Sequence, residues 1–137
     1  MEITYIPFHQ RKNDTGALIA LEENREIPFP IQRIYYIYDV APGARRGFHA
    51  HKKLHQVLIS IHGSCKILLD DGRDREIVEL TGPDRGLLLH NTVWREMYDF
   101  SPGAVLLVLA SDYYDETDYI RDYDEFLSFL KRGEHIR

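Results

Sequence analysis

The segment Arg46-Gly47-Phe48-His49-Ala50-His51-Lys52 has the spacing with the clearest chemical meaning in the chain. In an extended strand alternate residues share a face, so His49 and His51 project together, about 7 Å apart along the strand. Two imidazoles facing one cavity can pass protons near neutral pH, because an unperturbed ring titrates at about 6.5. The same pair can ligate a divalent cation, or each ring can be a structural histidine satisfied by local hydrogen bonds.

Other side chains can serve the same cavity. Arg33 and Tyr35 fall on one face of an extended stretch over 31–40, with Ile34, Tyr36 and Tyr38 on the other. Tyr35 is a candidate donor to an oxyanion that forms during reaction, or a structural tyrosine. Arg33, Arg46 and Lys52 are candidates for holding a phosphate, although each is also explicable as a plain surface charge. Trp94 can stack on a flat ligand or fill the end of a barrel. Arg121 can clamp a phosphate or pair with Asp118 or Asp122. Tyr113, Tyr114 and Tyr119 are expected to hold the tail against the body of the fold. His9, His62, His90 and His135 show no pattern beyond that of surface or turn residues. Cys65, the lone cysteine, lies between apolar residues and reads as a buried, inert thiol.

The elements that must position these groups are mostly strands. Runs rich in β-branched and aromatic residues span 18–22, 31–40, 47–51, 56–62, 65–69, 75–80, 86–89 and 104–111. Turn signals separate them, among them Pro42-Gly43, Asp70-Asp71-Gly72 and Ser101-Pro102-Gly103. Strands this closely spaced predict antiparallel sheets in a sandwich or barrel, with a hairpin at Asp71-Gly72. The end of the chain differs. Tyr119, Tyr123, Phe126, Leu127 and Leu130 follow helical spacing, so one C-terminal helix is expected over about residues 118–131, capped by Thr117 or Asp118.

At 137 residues the chain is sized for one core, and no linker or repeat divides it, so a single domain over 1–137 is expected, its barrel over about 16–112. A formal charge of -5, with basic residues dispersed among acidic ones, gives no stripe for a nucleic-acid backbone. Apolar runs such as Val57–Ile61 fall well short of the roughly 20 residues a bilayer requires. The opening Met1-Glu2-Ile3-Thr4-Tyr5 lacks the pattern of a secretory leader, and a cytoplasmic protein is expected.

The His-x-His pair, a polar residue four or five positions later and Gly63 closing a strand together resemble the first motif of the cupin superfamily, with 86–94 in the place of the second. The resemblance implies a jelly-roll double-sheet β-barrel with the site at its mouth. Many cupins hold a metal through two histidines, a following glutamate and a late histidine. Here the glutamate place is taken by His55 or Gln56, and the late-histidine place falls near Arg95, whose guanidinium cannot ligate. A three-histidine site including His55 stays open, but a barrel with neither metal nor cofactor is the expectation.

Over the whole chain the resemblance narrows. Arg46 to Lys52, Trp94-Arg95-Glu96-Met97 and, above all, Ala110-Ser111-Asp112-Tyr113-Tyr114-Asp115-Glu116-Thr117-Asp118-Tyr119-Ile120-Arg121 are similar to the dTDP-4-keto-6-deoxyglucose 3,4-ketoisomerases. That resemblance implies an isomerase that moves a keto group from carbon 4 to carbon 3 of a dTDP-linked sugar through an enediol. The product would feed an aminotransferase that makes a 3-amino sugar. His49 is then the base and His51 a shuttle or orienting group, roles that can be exchanged, with Tyr35 as oxyanion donor. Arg95 follows the family tryptophan at a place that helps decide a gluco or galacto product; with Thr15 in the position facing it, the lean is to gluco. The resemblance also implies a homodimer with an exchanged N-terminal strand, for which Ile3-Thr4-Tyr5-Ile6 is a strand-like run. Rival readings are a related nucleotide-sugar epimerase, a non-catalytic sugar-binding cupin and a metal-dependent dioxygenase.

Overall fold

Strands β1 (Thr4–Pro7), β2 (Gln10–Asn13), β3 (Gly16–Ile19), β4 (Arg33–Ile37), β5 (Arg46–His51) and β6 (Gln56–His62) are followed by β7 (Cys65–Asp70), β8 (Arg75–Leu80), β9 (Arg85–Leu89), β10 (Trp94–Tyr98) and β11 (Val105–Ala110). A 3-10 turn (Glu116–Asp118), the short strand β12 (Tyr119–Ile120) and helix α1 (Tyr123–Ile136) complete the chain. This computed structural model describes residues 1–136, with side chains through Gly133, so the side chain of His135 lies outside the described residues.

The strands form two five-stranded sheets, one ordered β1-β9-β6-β11-β4 and the other β12-β5-β10-β7-β8, while β2 and β3 make a separate hairpin. All these pairings are antiparallel. The main core lies between the sheets, where Leu58, Ile67, Leu69, Leu80, Leu87, Leu106 and Val108 are buried. Burying such aliphatic side chains is the main drive for closing the two layers. A smaller cluster of Ala50, Trp94, Ile120 and Phe126 lies beneath α1. The fold is the expected double-sheet barrel with a single C-terminal helix.

The Asp71-Gly72 turn forms as its residues dictate. Asp70 accepts from the Gly72 amide at 2.7 Å, Asp71 accepts from the amides of Arg73 and Asp74 at 2.9 and 2.8 Å, and Gly72 takes φ 92. No helix among the described residues is long and apolar enough to cross a membrane.

Several elements depart from expectation. The sheets extend beyond 16–112, because β1 pairs with β9 of its own chain and β12 pairs with β5. The helix starts at Tyr123 rather than near 118, and its cap is Asp122, which accepts from the Glu125 amide at 3.0 Å. Neither Thr117 nor Asp118 caps it: Asp115 caps the 3-10 turn, and the next two residues satisfy the edge of β5. Tyr119 fits the helical period, but an open strand edge has the stronger claim on its backbone. Strand β10 was not expected, since Arg95 and Glu96 interrupt its apolar alternation.

Candidate active site

Strand β5 reaches the site through a distortion. Opposite it on β10, Arg95 pairs with His49 and Glu96 with Gly47, leaving Phe48 as the extra residue of a bulge. Gly47 and Phe48 have φ 94 and 56. At Gly47 a side chain would meet the Arg95 carbonyl at 2.9 Å, so only glycine lets the two strands approach this closely. The bulge aims His49 and His51 inward, with ring centroids 5.0 Å apart and nearly perpendicular planes.

The two rings differ in position. His49 lines a cavity of about 440 Å³ with Arg33, Tyr35, Arg46, Tyr119 and Arg121. His51, 0% exposed, lies behind that lining. Both His49 nitrogens, His51 Nε2 and Arg33 Nε are buried with no protein partner. Buried polar atoms without partners cost about 1–3 kcal/mol each, which a fold tolerates where a ligand is to be bound.

Arg95 dominates the electrostatics. It is 2% exposed and has no carboxylate against it; its guanidinium donates to Gln56 Oε1 and to the Val93 carbonyl, the latter at 2.9 Å. Burial brings its pKa down, but only to about 10, so it stays cationic at neutral pH. Burial first and the Arg95 charge second push His49 down to about 4. The same two causes hold His51 below its ordinary range as well. Both rings are therefore neutral at pH 7. Burial raises the Tyr35 hydroxyl, with Arg95 and Gln56 pulling the other way.

Gln56 connects these groups. Its Nε2 donates to the Tyr35 hydroxyl oxygen at 3.0 Å while its Oε1 accepts from Arg95. With its oxygen accepting from Gln56, Tyr35 is free to donate its own proton into the cavity. The order Arg95 to Gln56 to Tyr35 is thus a chain of donors aimed at one point, each polarising the next.

The structure gathers Arg33, Tyr35, Arg46, His49 and Arg121 around the cavity, with Arg95 and His51 behind it, but it places Trp94, Lys52 and Thr15 elsewhere. Trp94 is 4% exposed in the cluster beneath α1 and donates to Glu96, so it is a core side chain rather than a stacking surface. Lys52 lines a separate groove of about 730 Å³ between α1 and the β7–β8 turn. That groove is the larger, yet it contains neither histidine, and the chemistry points to the smaller one. Arg121 pairs with Glu116 at 2.8 and 3.0 Å rather than with Asp118 or Asp122, and its guanidinium lies over the Tyr119 ring. Tyr119 does more than anchor the tail, because its ring packs 5.1 Å from His49 and 4.4 Å from His51. Thr15 is at the exposed tip of the β2–β3 hairpin, its hydroxyl bonded to Asn13.

A third histidine does not join the pair. His55 turns to His90, Nδ1 to Nδ1 at 3.2 Å, outside the cavity. Two imidazoles beside a buried guanidinium, with no carboxylate among the cavity-lining residues, are a donor set unsuited to a divalent cation. Gln56 and Asp118 are the functional residues that sequence reasoning missed. The sequence offers Gln56 only as a lost metal ligand, and Asp118, whose carboxylate contacts His51, only as a cap or a partner of Arg121.

Comparison with known proteins gives consistent results. A family model described as "FdtA: WxcM-like, C-terminal" matches residues 1–131. The TDP-4-oxo-6-deoxy-alpha-D-glucose-3,4-oxoisomerase of Aneurinibacillus thermoaerophilus is 51% identical over 132 residues, covering 96% of this chain and 95% of the relative. QdtA, a sugar 3,4-ketoisomerase from Thermoanaerobacterium thermosaccharolyticum solved with TDP, is 49% identical with a TM-score of 0.93, covering 96% of each chain. The WlaRB TDP-quinovose 3,4-ketoisomerase of Campylobacter jejuni is 52% identical with a TM-score of 0.88, covering 92% of this chain and 97% of that one.

Proposed function

The chain belongs to the sugar-nucleotide 3,4-ketoisomerase family, and on that premise we propose that it converts dTDP-4-keto-6-deoxyglucose into its 3-keto isomer. It is an isomerase. The observation that carries the substrate reading is His49, neutral and without a protein partner, lining one cavity with the Tyr35 hydroxyl from the opposite sheet.

The chemistry follows from those groups. The carbonyl at carbon 4 acidifies the proton on carbon 3, and neutral His49 removes it. The electron pair moves towards the carbonyl oxygen, where the Tyr35 proton, backed by Gln56 and Arg95, meets the developing charge. Tyr35 then delivers its proton to carbon 4, the carbon 3 hydroxyl passes its own to the carbon 4 oxygen, the proton held by His49 restores the Tyr35 hydroxyl through solvent, and the ketone has moved by one position. No net electron leaves the sugar. A base titrating at about 4 in the free protein is weak, but the diphosphate brings negative charge beside Arg33, Arg46 and Arg121, which shifts His49 upward once substrate is bound.

The gluco outcome is favoured. In a 6-deoxyglucose ring the hydrogens on carbons 3 and 4 lie on opposite faces, so removing one and delivering the other calls for two groups. His49 and Tyr35 come from facing sheets and meet that need. The likeness to a TDP-quinovose 3,4-ketoisomerase, quinovose being 6-deoxyglucose, supports the same reading.

A homodimer is part of the reading. Hairpin β2–β3 pairs with neither sheet, and Leu18, Ile34, Tyr36 and Tyr38 are each more than half exposed, an apolar surface suited to a second copy. Solution mass tests this. A dTDP-linked sugar substrate supports a cytoplasmic location.

Incubation with dTDP-4-keto-6-deoxyglucose, followed by proton NMR, reports the reaction and the configuration at carbon 4 together. A 3-keto product is expected, and its absence with pure, folded protein overturns the substrate reading. His49→Asn separates an enzyme from a sugar-binding barrel: TDP still binds, while turnover disappears.

A further inference from the structure

Asp118 ends the 3-10 turn just before β12, and its position is fixed from several sides. Its backbone carbonyl accepts from the Lys52 amide at 3.0 Å and its Oδ1 from the Lys53 amide at 2.8 Å. The pairing of Tyr119 with His51 and of Ile120 with Ala50 sets the register of the whole segment. Oδ2 then lies 3.0 Å from His51 Nδ1, in a pocket where His51 is fully buried. The carboxylate lines the grooves outside the cavity, around Lys53 and Asp115, and does not reach the cavity that His49 lines.

We infer that Asp118 is a positioning residue for the isomerisation: it fixes the proton of His51 on Nδ1 and leaves Nε2 bare in the buried pocket that His51 shares with His49. A carboxylate whose oxygens both accept has nothing to donate, so at this bond His51 must be the donor. The ring is neutral, so its one proton is then used and Nε2 carries a lone pair. That nitrogen is buried and has no partner, and the ring meets His49 edge to face. His49, which gains and then gives up a proton in each turnover, therefore has beside it an acceptor of defined tautomer, held by a charge the substrate does not touch. The inference rests on the ketoisomerase reading of the site and adds to it the group that keeps the second histidine in one protonation form.

Asp118→Asn tests this with little change of shape. The new amide must keep its oxygen towards the Lys53 amide, which turns its NH2 group towards His51 Nδ1 and calls for the opposite tautomer. Long-range proton–nitrogen NMR of the histidine rings distinguishes Nδ1–H from Nε2–H. The wild type is expected to show Nδ1–H at His51 and the variant Nε2–H. Turnover of dTDP-4-keto-6-deoxyglucose should fall by about tenfold or more, the usual scale for losing the orienting partner of a functional histidine, with KM and TDP affinity unchanged. A wild-type His51 protonated on Nε2 overturns the inference. So does a variant with unaltered kcat, or one whose loss of kcat is matched by lost TDP binding and a lower melting temperature, which is the signature of a purely structural residue. Wild-type protein that leaves the sugar unchanged sinks the substrate reading instead, and the tautomer measurement still stands alone.

Discussion

Acid should weaken this fold through His49 more steeply than through an ordinary histidine. In the folded chain burial and the Arg95 cation hold its pKa at about 4, against an unfolded value of about 6.5. Between those values the unfolded chain binds a proton that the folded chain refuses, so stability falls as pH falls. Linkage over that interval puts the contribution of His49 at about 2–3 kcal/mol lost between about pH 7.5 and about pH 4.5. Urea unfolding at the two pH values measures the total, in which His51 acts in the same direction. The same pair of measurements on His49→Asn removes the His49 part, and the difference between the two proteins isolates it. The variant should lose about 2–3 kcal/mol less than the wild type over the interval. Equal losses would mean that His49 titrates normally, and the account of a neutral base kept by burial and Arg95 would be wrong.

Arg95→Met removes the buried cation at similar volume, so the pKa of free His49 should rise, read from its ring-proton titration; no movement would dismiss the guanidinium as a cause. Tyr35→Phe deletes the last donor of the Arg95–Gln56–Tyr35 chain and should lower kcat about 100-fold while TDP affinity holds. A smaller effect than about fivefold would assign the oxyanion to another group. Gly47→Ala puts a methyl group against the Arg95 carbonyl at φ 94 and should cost about 2 kcal/mol or more in urea unfolding. A cost below about 0.5 kcal/mol would show that the bulge relaxes freely.

The sequence displays the barrel well, because its strands are short, rich in β-branched residues and separated by turn chemistry that local hydrogen bonds then realise, as at Asp70 and Asp71. His49 and His51 are legible for the same reason: period-two alternation needs only neighbours. What the sequence conceals depends on distant partners. Arg95 and Glu96 make β10 look polar, yet the strand lies in the middle of its sheet because Arg95 finds its acceptors on Gln56 and Val93. Tyr119 has helical spacing with Tyr123, and only the open edge of β5 decides for a strand. Gln56 and Asp118 were visible as residues but not as members of the site, since each acts on a side chain far from it in the chain. For Trp94 the sequence leaves stacking and core packing open, and only its contacts beneath α1 decide for the core.

Strand β12 also has a consequence for anyone who shortens or tags this protein. Its two residues cover the outer edge of the strand that carries both histidines, and α1 fastens them there. A fragment stopping near residue 112 would lose more than a tail, since it would present a bare row of amides and carbonyls on β5, ready to recruit another molecule. Such fragments should come out of solution as aggregates, which light scattering would show, whereas fusions appended after the helix should leave solubility intact.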